Sequence, residues 1–228
     1  MAYRQTIFAP DEWYHCFTRS IDGKRVFTSA GGYNRFLQAL YLCNSNTAIE
    51  RSMFYRPSHA SFFDVERGEP LVDVGAYCLM PNHFHLLLKQ IADNGISTFM
   101  QKVGTSYAMY YNVKHKHIGN VFIKPFRAKH IDRDDYFQKA VQYVHLNPAE
   151  LFEPGWKKGE VKNLSRLHNK LREYRYSSLA DYLGKKRPEN KIINLATAEY
   201  FDAEVSVEKM VSEAAAYYLD IKSSFKNL

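Results

Sequence analysis

Cysteine is scarce in this chain of 228 residues. Only three occur, Cys16, Cys43 and Cys78, and no two of them form a Cys-x-x-Cys pair. An odd number of scattered cysteines indicates reduced thiols in a cytosolic protein and offers no cysteine-based zinc site.

Long apolar runs are also missing. No stretch reaches the roughly 18 consecutive apolar residues that a membrane span needs, so the sequence predicts no such span. The first residues, MAYRQTIFAPDEW, carry an acidic pair and lack the apolar segment of a signal peptide. Internal repeats and low-complexity tracts are absent as well. We therefore expect a cytoplasmic protein without a membrane partner.

The residues that are present can build a real core and attract a polyanion. Hydrophobic residues make up 46% of the chain and aromatic residues 15%, which fits one sizeable domain or a domain with an appendage. The formal net charge is +7 and the isoelectric point about 9.1. Lysine and arginine gain affinity by displacing counterions from phosphates, so this charge favours a nucleic-acid partner, although only weakly by itself.

Hydrophobic periodicity predicts six elements in the order β-α-β-β-α-β, followed by a helix. The strands are predicted at residues 13–21, 71–80, 83–91 and 121–131, and the helices at 33–44, 96–115 and 132–146. Pro81-Asn82 supplies the turn between the second and third strands. Pro125 makes the last strand an edge or bulged strand. Asp132 is the predicted cap of the last helix.

This order predicts an α+β fold with a ferredoxin-like antiparallel sheet, whose first and third strands are central. The helix at 132–146 is added to that pattern. After Pro154 the chain becomes basic and rich in tyrosine, and two amphipathic helices are predicted from about Ile193. We expect a catalytic domain at residues 1–154 and a basic, mostly helical extension at 155–228 that is a candidate for DNA binding.

Two histidines at the start of the third strand are candidate metal ligands. Side chains alternate across a strand, so His83 and His85 share one face and Phe84 points to the other. Two imidazoles placed in this way can bind one divalent ion. The alternative is a pair of histidines that are merely hydrogen-bonded at a strand end.

A third ligand is required, and the helix at 132–146 offers candidates. Tyr143 and Asn147 are spaced i, i+4 and share one face, so Asn147 could give a neutral oxygen ligand beside the Tyr143 hydroxyl. Tyr136 lies one heptad earlier on the same stripe and is the rival nucleophile. The spacing alone favours the plainer interpretation, in which the tyrosines pack the helix on the sheet.

Two longer motifs carry a family resemblance. The chain contains YCLMPNHFHLLLKQ and, later, DRDDYFQKAVQYVHLNPAEL. Together they resemble the single-tyrosine HUH transposases of insertion-sequence-200 type, specifically the REP-associated tyrosine transposase branch. Supporting segments match in order over residues 8–184: WYHCFTRSIDGKRVF, YNRFLQALYLCN, FMQKVGTSYAMYYN, GNVFIKPFRAKHID and YSSLADYLG. The combination of MPNHFHLL with YVHLNP is highly specific.

The resemblance implies a bacterial DNA strand transferase that works through a 5′-phosphotyrosine and a divalent metal, Mg²⁺ or Mn²⁺. It makes His83 and His85 the metal-binding pair, Tyr143 the nucleophile and Asn147 the third ligand. Imidazole ligands tilt the choice of metal toward Mn²⁺. Where relatives usually read Phe-Gln-Gly-Arg-Phe, this chain has FIKPF at residues 122–126.

The expected partner is single-stranded or hairpin DNA, bound by a monomer or a homodimer. Basic side chains on the last strand and after the catalytic helix are the DNA-binding candidates: Lys124, Arg127, Lys129, His130, Arg172 and Arg175. Trp156, Tyr174 and Tyr176 are candidates for stacking on bases. Two alternatives stay open: a non-catalytic nucleic-acid-binding protein on the same fold, and a metal-dependent nuclease that uses water.

Overall fold

The computed structural model describes residues 6–49, 58–158, 160–194, 196 and 207–224. Within these residues four strands form one sheet: β1 (Trp13–Arg19), β2 (Val72–Met80), β3 (His83–Gln90) and β4 (Arg127–Ile131). Their order is β2-β3-β1-β4, and every neighbouring pair is antiparallel. The predicted ferredoxin-like α+β fold is confirmed, with β1 and β3 at the centre of the sheet.

The helices of the described part follow the predicted order and add a helical C-terminal region. They are α1 (Ala30–Leu42), α2 (Gly95–His115), α3 (Asp134–Leu146), α4 (Leu164–Glu173), α5 (Leu179–Tyr182) and α6 (Val207–Ser224). Of the two helices predicted after Ile193, the described residues contain one, α6. The stretch at 197–206 lies outside the described residues. No helix in the described part is both long and apolar enough to cross a membrane.

Strand alternation gives the sheet two different faces. Phe84 points toward α1 and α2, where its ring lies 4.8 Å from Phe36 and 5.2 Å from Phe122 between ring centroids. His85 points to the opposite face, where its ring lies 5.5 Å from that of Tyr143 on α3. Helix α6 packs against α3 on this second face. The sheet is therefore covered on both sides, and the two histidines lie beneath α3.

The turn between β2 and β3 fixes where the histidine-bearing strand begins. Met80 pairs with His83, so only Pro81 and Asn82 connect the strands, as predicted. The Pro81 carbonyl accepts hydrogen bonds from the backbone N–H groups of Val26 (2.9 Å) and Phe27 (3.0 Å). These hydrogen bonds anchor the hairpin turn and so hold in place the backbone of the strand that carries the histidines.

Several predicted boundaries are wrong, among them the start of α1, predicted at residue 33 and found at Ala30, and two others near Pro125 and Asp132. The strand predicted at 121–131 pairs continuously only from Arg127, while Phe122 makes an isolated bridge to Ser20. Pro125 has no backbone N–H to donate to a ladder, so pairing resumes only after it. The helix predicted from Asp132 begins at Asp134 with Arg133 as its N-cap, and no side chain caps it. The expectation that β4 is an edge strand is confirmed.

Part of the C-terminal region joins the outer edge of the sheet. Ser177 bridges Cys78 on β2, Leu79 N–H donates to the Tyr176 carbonyl (2.9 Å), and Ser178 N–H donates to the Tyr77 carbonyl (3.0 Å). These bonds satisfy backbone groups that an open edge strand would expose.

Candidate active site

The two histidines of β3 lie side by side, as the strand pattern predicts. The ring centroids of His83 and His85 are 5.2 Å apart and the rings are nearly perpendicular. His83 is half-buried, and His85 exposes only 6% of its surface. Both therefore sit at the floor of a site rather than on an open surface.

One nitrogen of each histidine ring is already engaged. His83 Nδ1 lies 2.7 Å from Asn82 Oδ1, and His85 Nδ1 lies 2.8 Å from Nε2 of His15 on β1. Since Asn82 Oδ1 can only accept, the His83 Nδ1 carries the proton. Nε2 of each ring is then the nitrogen that can bind a ligand. Metal-ligating histidines have this arrangement, in which the second nitrogen is held by a hydrogen bond.

Burial keeps these imidazoles neutral, which is the protonation state that binds metals. Burial, helped by the charge of Lys157, lowers the pKa of His83 to about 4. Burial also lowers the pKa of His85 well below its ordinary value, and its neighbours His15, His83 and Lys157 act in the same direction. At neutral pH both rings are uncharged.

The histidines open into a cavity of about 440 Å³ between the sheet and the chain that follows α3. His83, His85 and Tyr143 all line it, together with Glu150 and Lys157. Arg19, Arg127 and Tyr218 also contribute to its wall. The Lys157 Nζ lies 2.5 Å from a Glu150 carboxylate oxygen. The wall carries more positive than negative side chains, which suits an anionic ligand.

Tyr143 reaches this cavity from α3 and is almost enclosed by other rings. It exposes 3% of its surface, and Tyr218 of α6 stacks beside it with ring centroids 6.2 Å apart. Burial raises the pKa of Tyr143, and the nearby Tyr218 and Glu150 act in the same direction, whereas Asn147 lowers it. The hydroxyl is therefore protonated at neutral pH, and its reaction as a nucleophile needs help in losing that proton.

Asn147 is fully buried directly after α3, in a short 3₁₀ turn, Asn147–Leu151. Its Nδ2 donates to the Tyr143 carbonyl (2.8 Å), and its Oδ1 has no hydrogen-bond partner among the described residues. Asn147 is near Tyr143 but is not among the side chains that line the cavity, whereas Glu150 from the same turn is. Its predicted role as a ligand stays a prediction.

The rival tyrosine lies elsewhere. The Tyr136 hydroxyl donates a short hydrogen bond to Asp220 of α6, and its ring faces a separate hollow beside Lys129 and Arg133. Tyr136 is not among the residues that line the histidine cavity. The structure therefore separates two tyrosines that share one helical stripe in the sequence.

The predicted DNA-binding side chains fall into two groups at opposite edges of the sheet. Lys124, Arg127, Lys129 and His130 lie on or beside β4, whereas Arg172 and Arg175 lie near the β2 edge. Arg127 alone of these six lines the histidine cavity. Lys129 and His130 are paired with Asp220 (3.3 Å) and Glu12 (3.0 Å).

The predicted stacking residues are largely engaged within the protein. Trp156 is completely buried. The Tyr176 ring is stacked on Tyr33 with centroids 3.7 Å apart, and the Tyr174 hydroxyl donates to the Leu79 carbonyl (2.6 Å). In this conformation Trp156 cannot stack on a base.

Sequence reasoning missed several residues of the site. His15 shares its face of β1 with Phe17, which pairs with His85 in register, so strand alternation combined with the sheet order would have found it. Glu150 lies three residues after Asn147, so helical spacing would have placed the two side chains on the same face. Lys157 and the α6 tyrosines carry no local signal, because only packing brings them to the cavity.

The central segment of the chain matches a known family model. Residues 67–147 match the family model of IS200-like transposases. This segment contains both histidines, Tyr143 and Asn147, and the resemblance to these transposases is therefore confirmed. None of the curated proteins compared with the chain matches it.

A solved structure agrees at the level of the fold. The chain is similar to a REP-associated tyrosine transposase bound to a REP hairpin, with a TM-score of 0.52 and 11% sequence identity. The match covers 83% of this chain and 90% of the transposase. At this identity the likeness establishes the shared fold and nothing finer.

Proposed function

We propose that this protein, whose residues 67–147 match the IS200-like transposase model, cleaves and rejoins single-stranded DNA through a covalent bond between DNA and Tyr143. The observation that carries the proposal is that Tyr143, His83 and His85 line one cavity whose wall is rich in cations. A hairpin or single-stranded substrate is favoured because the tyrosine must reach an unpaired backbone. The hairpin bound by the solved relative is consistent with this substrate.

The residues present fit a divalent metal ion, Mg²⁺ or Mn²⁺. His83 and His85 would each supply a neutral Nε2, since each Nδ1 is already hydrogen-bonded. An oxygen donor is available from Asn147, whose buried Oδ1 lacks a partner among the described residues, or from Glu150 in the cavity wall. In the described residues no group of three or more His, Cys, Asp or Glu side chains could by itself hold a metal ion. When bound, the ion would withdraw charge from a phosphate oxygen.

The protein's own groups would carry out the substitution at phosphorus. The Tyr143 oxygen forms a bond to phosphorus as the bond to the 3′ oxygen breaks. The phenolic proton is lost and the departing 3′ oxygen gains one, so the products are a 5′-phosphotyrosine and a free 3′-OH. Lys157 and Arg127 in the cavity wall would pair with the phosphate oxygens. Because the tyrosyl ester keeps the energy of the bond, a 3′-OH can reverse the step and join strands.

A water-using nuclease is the second candidate, and the burial of Tyr143 favours it. With 3% of its surface exposed, Tyr143 could serve only to pack α3 on the sheet. The two functions differ in one product, because only the tyrosine mechanism leaves the protein attached to DNA.

A covalent-adduct assay tests the proposal. Each variant is incubated with saturating Mn²⁺ and an oligonucleotide that carries a hairpin and a single-stranded flank, and is then denatured. Tyr143→Phe removes one oxygen and keeps the ring, so it should bind DNA and form no adduct. Tyr136→Phe should still form an adduct, since its hydroxyl lies outside the cavity. Cleavage without an adduct in the wild type would establish the water mechanism, and an adduct lost only in Tyr136→Phe would overturn the assignment of Tyr143.

A further inference from the structure

A line of hydrogen bonds runs from His85 away from the cavity and ends at a carboxylate. His85 Nδ1 lies 2.8 Å from His15 Nε2, and His15 Nδ1 lies 3.1 Å from the Tyr217 hydroxyl. The Tyr217 ring packs against that of Tyr136 with centroids 4.8 Å apart, and the hydroxyls of the two tyrosines influence each other's pKa. The Tyr136 hydroxyl donates to Asp220. Every member except Asp220 and Tyr136 is nearly or completely buried.

The carboxylate sets the direction of every bond in this line. Ionised Asp220 can only accept, so the single Tyr136 proton points at it, and the Tyr136 oxygen is left to accept from Tyr217. The Tyr217 proton is used in that bond. The Tyr217 oxygen must then accept the proton carried by His15 on Nδ1.

The same reasoning fixes the proton on His85. With its proton on Nδ1, neutral His15 presents a lone pair at Nε2, which can only accept from His85 Nδ1–H. His85 then has no proton on Nε2, the nitrogen that can bind a ligand. If the line ran the other way, His85 would be protonated on Nε2 and could not bind a metal through that atom.

We infer that Asp220, Tyr136, Tyr217 and His15 are positioning residues that hold His85 in its metal-binding tautomer. The inference rests on the proposed metal site and adds to it a set of outer partners that extends through α3 and α6. It gives Tyr136 a role other than nucleophile. It also makes the C-terminal helix, which lies beyond the segment matched by the transposase family, part of the site.

The ion pair that Asp220 forms with Lys129 supports the assignment. The Lys129 Nζ lies 3.3 Å from Asp220, and the hydrogen bond from Tyr136 together with Lys129 lowers the pKa of Asp220. The carboxylate therefore stays ionised at neutral pH and remains an acceptor only. A carboxylate at the end of a histidine–metal hydrogen bond is a recurring outer partner in metal sites, and here two tyrosines and a second histidine lie between the carboxylate and the metal ligand.

The decisive variant is Asp220→Asn, which keeps the size of the side chain and lets it donate to Tyr136. The line can then reverse, so we expect Mn²⁺ affinity, measured by titration calorimetry on the full-length protein, to fall by about tenfold. His15→Leu should lose at least as much. His15→Gln should recover part of the affinity, because its amide oxygen can accept from His85 Nδ1–H.

The matched control is Asp64→Asn, which lies outside α3 and α6. It removes the same charge from an exposed carboxylate that pairs with Lys191 (2.7 Å), and neither residue of this pair belongs to the line. Its Mn²⁺ affinity should equal that of the wild type. An equal loss in both variants would reduce the effect to long-range charge and overturn the inference.

Nitrogen NMR of the histidine rings reports their tautomers, which would not change if these residues had a purely structural role. In the metal-free wild type, long-range proton–nitrogen correlations should show His15 and His85 protonated on Nδ1, and Asp220→Asn should show a mixture of tautomers. Nε2 protonation of His85 in the wild type would refute the inference. A wild type that forms the DNA adduct but whose Mn²⁺ affinity is unchanged by Asp220→Asn would refute it while leaving the proposed function intact.

Discussion

Lys157 offers the sharpest test of how the cavity recognises a phosphate. It comes from a short 3₁₀ turn after α3, its side chain exposes 19% of its surface, and it lines the cavity beside His83 and His85. If Lys157 contacts one phosphate of a single strand, Lys157→Ala should make the plot of log affinity against log salt concentration shallower by about 0.7. The affinity itself should fall most at low salt.

Glu150 should have the opposite effect. Its carboxylate is paired with Lys157, and DNA phosphate must compete with it for that cation. Because the Glu150 side chain is 44% exposed, solvent screens the pair, which therefore contributes at most about 1 kcal/mol. Glu150→Gln should thus raise DNA affinity by up to about fivefold. In the Lys157→Ala background this gain should shrink, since the cation that was released is gone.

Fluorescence anisotropy with a labelled hairpin oligonucleotide, in chelator and over a series of salt concentrations, measures both quantities. Lys139→Ala is the control: it changes the net charge equally, but Lys139 pairs with Asp135 on α3 (3.2 Å) and does not line the cavity. Its slope should stay close to that of the wild type. Equal changes of slope for Lys157→Ala and Lys139→Ala would show that net charge, and not a phosphate contact in the cavity, governs binding.

Three further outcomes are expected. The double variant His83→Ala/His85→Ala should lose divalent-dependent cleavage while keeping its circular dichroism spectrum, and cleavage retained by this variant would refute a metal role. Asn147→Ala should weaken Mn²⁺ binding less, since water can replace a neutral ligand. Hairpin and single-stranded DNA should bind more tightly than random duplex in competition assays, and equal affinities would contradict the proposed substrate. Gly104→Ala should raise the free energy of unfolding by about 0.5–1 kcal/mol, because the added methyl meets no atom within 4 Å. Gly95→Ala should lower the free energy of unfolding, because its Cβ would lie 2.1 Å from the Leu71 carbonyl oxygen. Thermal melts that rank the two variants the other way would refute this packing.

Much of the fold could be read from local pattern. The alternation in HFHLLLKQ predicts that the two histidines share one face, and the Pro81-Asn82 turn predicts the hairpin that holds them. Both follow from interactions between residues near each other in the chain, which is why they could be predicted. The predicted boundaries at residues 121–126 and at Asp132 are wrong. Pro125 interrupts the strand and no side chain caps the helix, and the ends of elements are hard to predict from local sequence when such effects oppose the residues' propensities.

The choice between tyrosines shows where local pattern stops. On a helix, Tyr136 and Tyr143 occupy one stripe, and spacing alone favours packing for both. In the structure the Tyr136 hydroxyl is hydrogen-bonded to Asp220 of α6, and of these two tyrosines only Tyr143 lines the cavity. The distinction depends on a helix that lies far along the chain.

The order of the elements, the shared face of His83 and His85, and the family resemblance all follow from the amino-acid sequence. Long-range packing supplies the surroundings of these histidines. His15 from a neighbouring strand is hydrogen-bonded to His85, Tyr217 from α6 is hydrogen-bonded to His15, and Lys157 from a turn after α3 lines the same cavity. Periodicity encodes which side chains of one element share a face. It does not encode which distant element covers that face, because that choice depends on long-range packing of the whole chain.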